Sequence, residues 1–118
     1  MTDLQSLTAR ATTLLEQLIA FDTTSRRSNL ELIAFAEAEL ARCGATFQRI
    51  GNADGSKANL LARIGPAEDG GILLSGHTDV VPVDGQPWTS DPFTLTRREV
   101  VSKAISCSSS VVARAVRD

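Results

Sequence analysis

Apolar residues recur along the first part of the chain at Leu4, Leu7, Ala11, Leu14, Leu15, Leu18 and Ile19, a helical spacing that predicts an amphipathic helix from about Asp3 to Ala20. Asp22-Thr23-Thr24-Ser25 breaks the period with side chains that favour turns and caps. A second helical period starts at Ser28. Leu32, Ile33, Ala36, Leu40 and Cys43 fall on one side, Glu37 borders that stripe, and Glu31, Glu39 and Arg42 lie farther round. Ser28-x-x-Glu31 matches a capping box, in which the hydroxyl satisfies the Glu31 N–H and the glutamate reaches back. Gly44 is placed to end the helix in a left-handed conformation.

The pattern then changes. Ala45 to Ile50 and Asn59 to Ile64 read as strands separated by a turn-rich stretch containing Asp54-Gly55, and Ile72 to Gly76 reads as another after Gly70-Gly71. Two helices followed by strands of a mixed sheet give an α/β fold class. The apolar stripes are explained by core packing, and none of their residues is a candidate site.

Chemistry enters at Leu73-Leu74-Ser75-Gly76-His77-Thr78-Asp79-Val80-Val81-Pro82. His77 is the only histidine, and it stands two residues before an aspartate, just beyond an apolar strand. Side chains two apart on an extended segment point the same way, so His77 and Asp79 share a face at the strand's carboxyl end. Sites of open α/β sheets tend to gather at that edge. A neutral imidazole is a good zinc ligand, and a carboxylate accepting its other N–H fixes the tautomer. A bare His-x-Asp pair fits an ordinary loop histidine bonded to its neighbour at least as well.

The longer segment Ser75-Gly76-His77-Thr78-Asp79-Val80-Val81-Pro82, followed by Asp84-Gly85-Gln86-Pro87-Trp88-Thr89-Ser90-Asp91-Pro92-Phe93, resembles the first metal-binding segment of the zinc-dependent aminoacylase and carboxypeptidase family. Within that family it is most similar to the deacetylases of arginine biosynthesis. The resemblance implies the N-terminal part of a zinc-peptidase-like catalytic domain, incomplete. It implies a cytoplasmic hydrolase of the N-acetyl amide of an amino acid, with zinc or cobalt as cofactor and a homodimeric state open to the intact enzyme. It carries over His77 as a metal ligand and Asp79 as the catalytic residue that orients it. In such enzymes the metal polarises the amide carbonyl and lowers the pKa of bound water while a carboxylate base takes the proton.

The resemblance covers about residues 1–96. The family's later ligands are a bridging aspartate after a Gly-Arg-Gly segment, a glutamate pair holding the general base, a further acidic ligand and a second histidine; none is found here. Counting donors gives the same result, because a catalytic zinc takes about three protein ligands. One histidine, Cys43 and Cys107 without ligand spacing to it, and the loop carboxylates Asp79, Asp84 and Asp91 make at best a weak site. The expectation is that this chain alone holds no metal stably and turns over no substrate.

Residues 97–118 read as a divergent tail, frameshifted or disordered. They carry five basic and two acidic residues, against seven and twelve before them, and all eight glycines and four prolines precede them. Such a chain is expected to expose a sheet edge and an uncovered apolar face, which invite aggregation. Three readings stand: a fragment of a deacylase, a hydrolase assembled with a separately encoded remainder, or a non-catalytic α/β binding module. A desuccinylase or carboxypeptidase of the same family is an alternative to the deacetylase. The formal net charge of −2 and the absence of basic stretches interleaved with aromatics exclude nucleic acid as a favoured partner. No run is long enough to span a membrane. An amphipathic N-terminus carrying Asp3 and Glu16 predicts no secretory signal, and two distant cysteines predict a reducing compartment.

Overall fold

The computed structural model describes residues 3–96 and the backbone of a strand at 112–115. Its elements are helices α1 (Leu4–Ile19) and α2 (Leu30–Ala41), followed by strands β1 (Thr46–Gly51), β2 (Ala58–Arg63), β3 (Ile72–Ser75) and β4 (Val112–Ala115). Helices and strands follow one another as the periodicity predicts, and the arrangement fits an incomplete α/β domain. The described strands form two antiparallel pairs, β1 with β2 and β3 with β4. Among the described residues, parallel pairing is confined to an isolated bridge between Thr24 and Val80. Of the tail, residues 112–115 lie antiparallel to β3, with Ile72 opposite Ala115 and Ser75 opposite Val112. The rest of the tail lies outside the described residues.

The end of α2 follows from Gly44. Its φ of 75° is the left-handed conformation that only glycine adopts at little cost. The Gly44 N–H donates to the Ala41 carbonyl at 3.0 Å and the Ala45 N–H to Leu40 at 3.3 Å, the bond pair of a Schellman stop. The start differs from the expected capping box. The Ser28 hydroxyl oxygen accepts from the Leu30 N–H at 3.2 Å, and the helix begins at Leu30. Residue Asn29 occupies the N-cap position, but its side chain makes no capping bond. It is turned instead to β2, where its amide exchanges two hydrogen bonds with the main chain of Ala58. Two bonds to a buried backbone outweigh the one a cap would supply.

β1 and β2 form a hairpin with Arg49 opposite Leu60 and Ile50 opposite Asn59. Its turn is closed by Asn52, whose N–H donates to the Lys57 carbonyl at 3.0 Å and whose Oδ1 accepts the Lys57 N–H at 2.9 Å. Gly55, at φ 71°, makes the reversal, as Asp54-Gly55 predicts. The helix α2 packs on β2. Acidic residues of α2 fasten it on both sides: Glu37 takes the Arg49 guanidinium bidentately, with Nε 3.0 Å from Oε1, and Glu39 pairs with Arg10 of α1. Phe21 and Phe35 add a tilted ring contact, with centroids 5.6 Å apart.

The buried core is small, consisting among the described residues of Leu32, Ile33 and Ala58 with the polar Thr23 and Thr24. α1 buries no residue fully. Ile72, Leu73 and Leu74 of β3 are 76%, 50% and 68% exposed. Successive strand residues face opposite ways, so β3 is open on both faces.

Between the helices, Asp22 closes an Asx turn. Its Oδ1 accepts the Thr24 N–H at 3.1 Å and the Thr24 hydroxyl at 2.5 Å, and its Oδ2 lies 3.0 Å from the Arg27 guanidinium. The Thr24 hydroxyl, seconded by the Thr24 N–H and the nearby Arg27 and Arg26 charges, holds the Asp22 carboxyl below its ordinary value of 3.8.

Two outcomes are expected in denaturant unfolding of the full chain. Ile33→Ala removes a side chain only 3% exposed and should cost about 2–5 kcal/mol. Leu4→Ala, at a side chain 75% exposed, should stay within about 0.5 kcal/mol. The Asp22 turn gives a pH dependence. A folded-state pKa below the unfolded one contributes stability above the ordinary carboxylate value, lost as pH falls through the depressed value. Asp22→Asn should therefore lower stability at neutral pH and flatten its decline in acid. An unchanged acid limb in the variant would dismiss Asp22 as a contributor.

Candidate functional site

His77 lies just past the end of β3, on the extended stretch that leads to the bridge at Val80. Its Nδ1 is 2.9 Å from the Asp79 carbonyl oxygen and 3.2 Å from Asp79 Oδ1. Both partners are acceptors, so Nδ1 carries the hydrogen in these bonds. The structure therefore brings together the two residues that the sequence places on one face. The two side chains are 50% and 60% exposed, which puts the pair at a rim and not in a core.

That rim borders an open cleft of about 670 Å³. Leu32, Ile33 and Ala36 of α2 form its apolar wall, Ala58 and Leu60 of β2 another, and Gly76 to Asp79 its far edge. Lys57 also lines it and donates from Nζ to the Ser25 carbonyl.

The His77–Asp79 stretch is held from two directions. From the Asp22 turn, the Thr23 hydroxyl donates to the Thr78 carbonyl, the Val80 N–H donates to the Thr23 carbonyl at 3.2 Å, and the Ser25 N–H donates to the Val80 carbonyl at 3.1 Å. From the start of α2, Asn29 Nδ2 donates to the Ala58 carbonyl at 2.8 Å and to Thr78 Oγ1 at 3.0 Å, while Asn29 Oδ1 accepts the Ala58 N–H at 3.0 Å. Thr23 and Thr24 are each 4% exposed. In the sequence, residues 22–25 register only as a turn and Asn29 goes unremarked. Their partners lie 29 to 55 residues on, beyond the reach of any local pattern.

The remaining candidate donors do not gather at His77. Asp84 pairs with Arg26. Asp91 accepts the Phe93 N–H and the Thr94 hydroxyl, each at 2.9 Å, and these bonds hold its carboxyl below the usual range. Cys43 is an exposed free thiol beyond the end of α2. Cys107 lies outside the described residues. Among the described residues no three His, Cys, Asp or Glu side chains converge as a metal site. With one imidazole, and with the neighbouring carboxylate turned to that imidazole, they do not make a metal centre by themselves.

No protein-family model matches the chain, and no solved structure matches it. Curated relatives do. The acetylornithine deacetylase of Pectobacterium carotovorum is 59% identical over 44 residues, which is 37% of this chain and 11% of the relative. That of Proteus mirabilis is 60% identical over 43 residues, 36% of this chain and 11% of the relative. That of Yersinia pseudotuberculosis is 57% identical over 47 residues, 36% of this chain and 12% of the relative. The chain thus spans only about a tenth of the length of the curated relatives it matches. Over that matched stretch the chain is similar to acetylornithine deacetylases.

Proposed function

We propose that this chain is the opening part of a metal-dependent N-acyl amino-acid deacylase, with His77 as one ligand of a zinc or cobalt ion and Asp79 as the residue that orients it. The observation that carries the reading is the pair of contacts from His77 Nδ1 to Asp79, at 2.9 and 3.2 Å. A proton fixed on Nδ1 makes Nε2 the ring atom able to donate a lone pair, and a carboxylate partner raises its basicity. The relatives are named for acetylornithine, and the reading gives this site a small acetylated amino acid as substrate. The cytoplasm is the compartment it assigns.

The same reading places the other ligands and the general base on residues outside this site. The chain by itself is then a weak metal binder without turnover. His77 contributes one donor, Asp79 fixes its direction, and α2 lines one side of the cleft with apolar side chains.

The test is co-expression of this chain with the remaining part of one of the matched deacetylases, assayed for release of acetate from N-acetylornithine with zinc or cobalt added. The chain alone should give no turnover and the assembly should give activity. Within the assembly His77→Ala should remove most activity, and Asp79→Ala should lower it by about 10–100-fold, as for other residues that orient a metal-binding histidine. Full activity of the His77→Ala assembly at saturating metal would refute the assignment. Zinc added to the full chain should shift the ring resonances of its single histidine reversibly and only weakly.

A further inference from the structure

We propose that Asn29 is a positioning residue for this site: through the Thr78 hydroxyl it fixes the backbone that presents the Asp79 carbonyl and carboxylate to His77, and so sets the imidazole tautomer. The inference rests on the reading of His77 and Asp79 given above, and its geometry stands on separate observations.

The amide of Asn29 makes three of the four hydrogen bonds it can form, with both donors used. Oδ1 accepts the Ala58 N–H at 3.0 Å, and Nδ2 donates to the Ala58 carbonyl at 2.8 Å and to Thr78 Oγ1 at 3.0 Å. The first two bonds fix the amide plane against β2, so the third is delivered from a rigid mount. Thr78 stands between His77 and Asp79, and the Thr23 hydroxyl holds its carbonyl.

The next peptide unit transmits the constraint. The Asp79 carbonyl and the Val80 N–H belong to one planar trans group and point in opposite directions. The Val80 N–H is committed to the Thr23 carbonyl at 3.2 Å, which turns the Asp79 carbonyl the other way, where His77 Nδ1 meets it at 2.9 Å. Thr78 is the hinge between that fixed plane and the histidine. With its side chain held by Asn29, the imidazole faces two acceptors on Asp79 and keeps its hydrogen on Nδ1. Without that hold, Thr78 can rotate and the ring can pass to the other tautomer.

The single histidine makes the test direct. The full chain, labelled with ¹⁵N-histidine and free of metal, is examined at about pH 8, where imidazoles are ordinarily neutral. Ring nitrogen shifts then report the ratio of Nδ1–H to Nε2–H forms. The wild-type chain should be dominated by the Nδ1–H form. Asn29→Ala and Thr78→Val should each lower the ratio about fivefold, the order expected for losing one net hydrogen bond. The double variant should go no further, because both substitutions break the same link. Thr78→Ser, which retains the hydroxyl, should restore the wild-type ratio.

Ser28→Ala is the structural control. It removes the hydroxyl that accepts from Leu30 and should lower stability while leaving the ratio unchanged. If Asn29→Ala does not fold, Thr78→Val decides, since it keeps the side-chain shape and the Ala58 bonds. A wild-type ratio in folded Thr78→Val overturns the proposal and reduces Asn29 to a staple between α2 and β2. The measurement uses neither metal nor substrate. Failure of the deacylase reading would therefore show in the assembly assay and leave this result intact.

Discussion

At the start of α2, the Asn29 amide joins three stretches of chain, the helix itself, the first residue of β2 and the loop at Thr78. Buried main-chain groups must find partners, and here the Ala58 N–H and carbonyl find both on one side chain. The third bond of the same amide reaches the loop that carries the histidine. The Thr23–Ser25 segment reaches that loop by its own route, through the bridge to Val80. The two attachments differ in kind, one a side-chain amide and the other a short piece of parallel pairing. Together they let an exposed stretch hold a defined conformation with little apolar burial beneath it.

Several elements were legible because their determinants are local. The stripes of α1 and α2, the reversal at Asp54-Gly55 and the stop at Gly44 each depend on residues within a turn or two; the bounds of α1 agree with the structure to about one residue and those of α2 to about two. The pairing of His77 with Asp79 was legible for the same reason, since extended backbone brings alternate residues together. The expected capping box at Ser28 failed in an instructive way. Its spacing was right, but the helix starts later, because the residue at its cap position is engaged by β2. A linear pattern weighs a cap only against solvent and cannot weigh it against a strand 29 residues away. The pairing of residues 112–115 with β3 was hidden likewise, since a change in composition carries no information about which edge a segment will meet.

Charge on α2 is drawn into ion pairs with the neighbouring elements. Glu39, placed away from the apolar stripe, is partly covered and faces Arg10 and Arg42. Glu37, at the border, grips Arg49 in a fork that fixes the angle of β1. Neither pair need contribute much net stability at such exposure. Their effect is orientational, because a bidentate guanidinium–carboxylate contact tolerates one plane and one direction. With few apolar residues to set how helices and hairpin lie, directional contacts assume that part.

The same scarcity bears on the candidate site. β3 is apolar in sequence and uncovered on both faces, the composition of a strand meant for the middle of a layered sheet. His77 and Asp79 sit at the end of this least covered element, half exposed, where water competes for every bond they make. A hydrogen bond so placed is held by geometry more than by its surroundings, which explains why the loop needs an anchor on each side. Covering β3 would remove the competing water and strengthen the same contacts without moving an atom, because lower local polarity raises the weight of each polar interaction. The pair is thus built in advance of the environment in which it would be effective, and the residues that build it, Asn29, Thr23 and Thr78, lie outside the His-x-Asp motif's two functional positions.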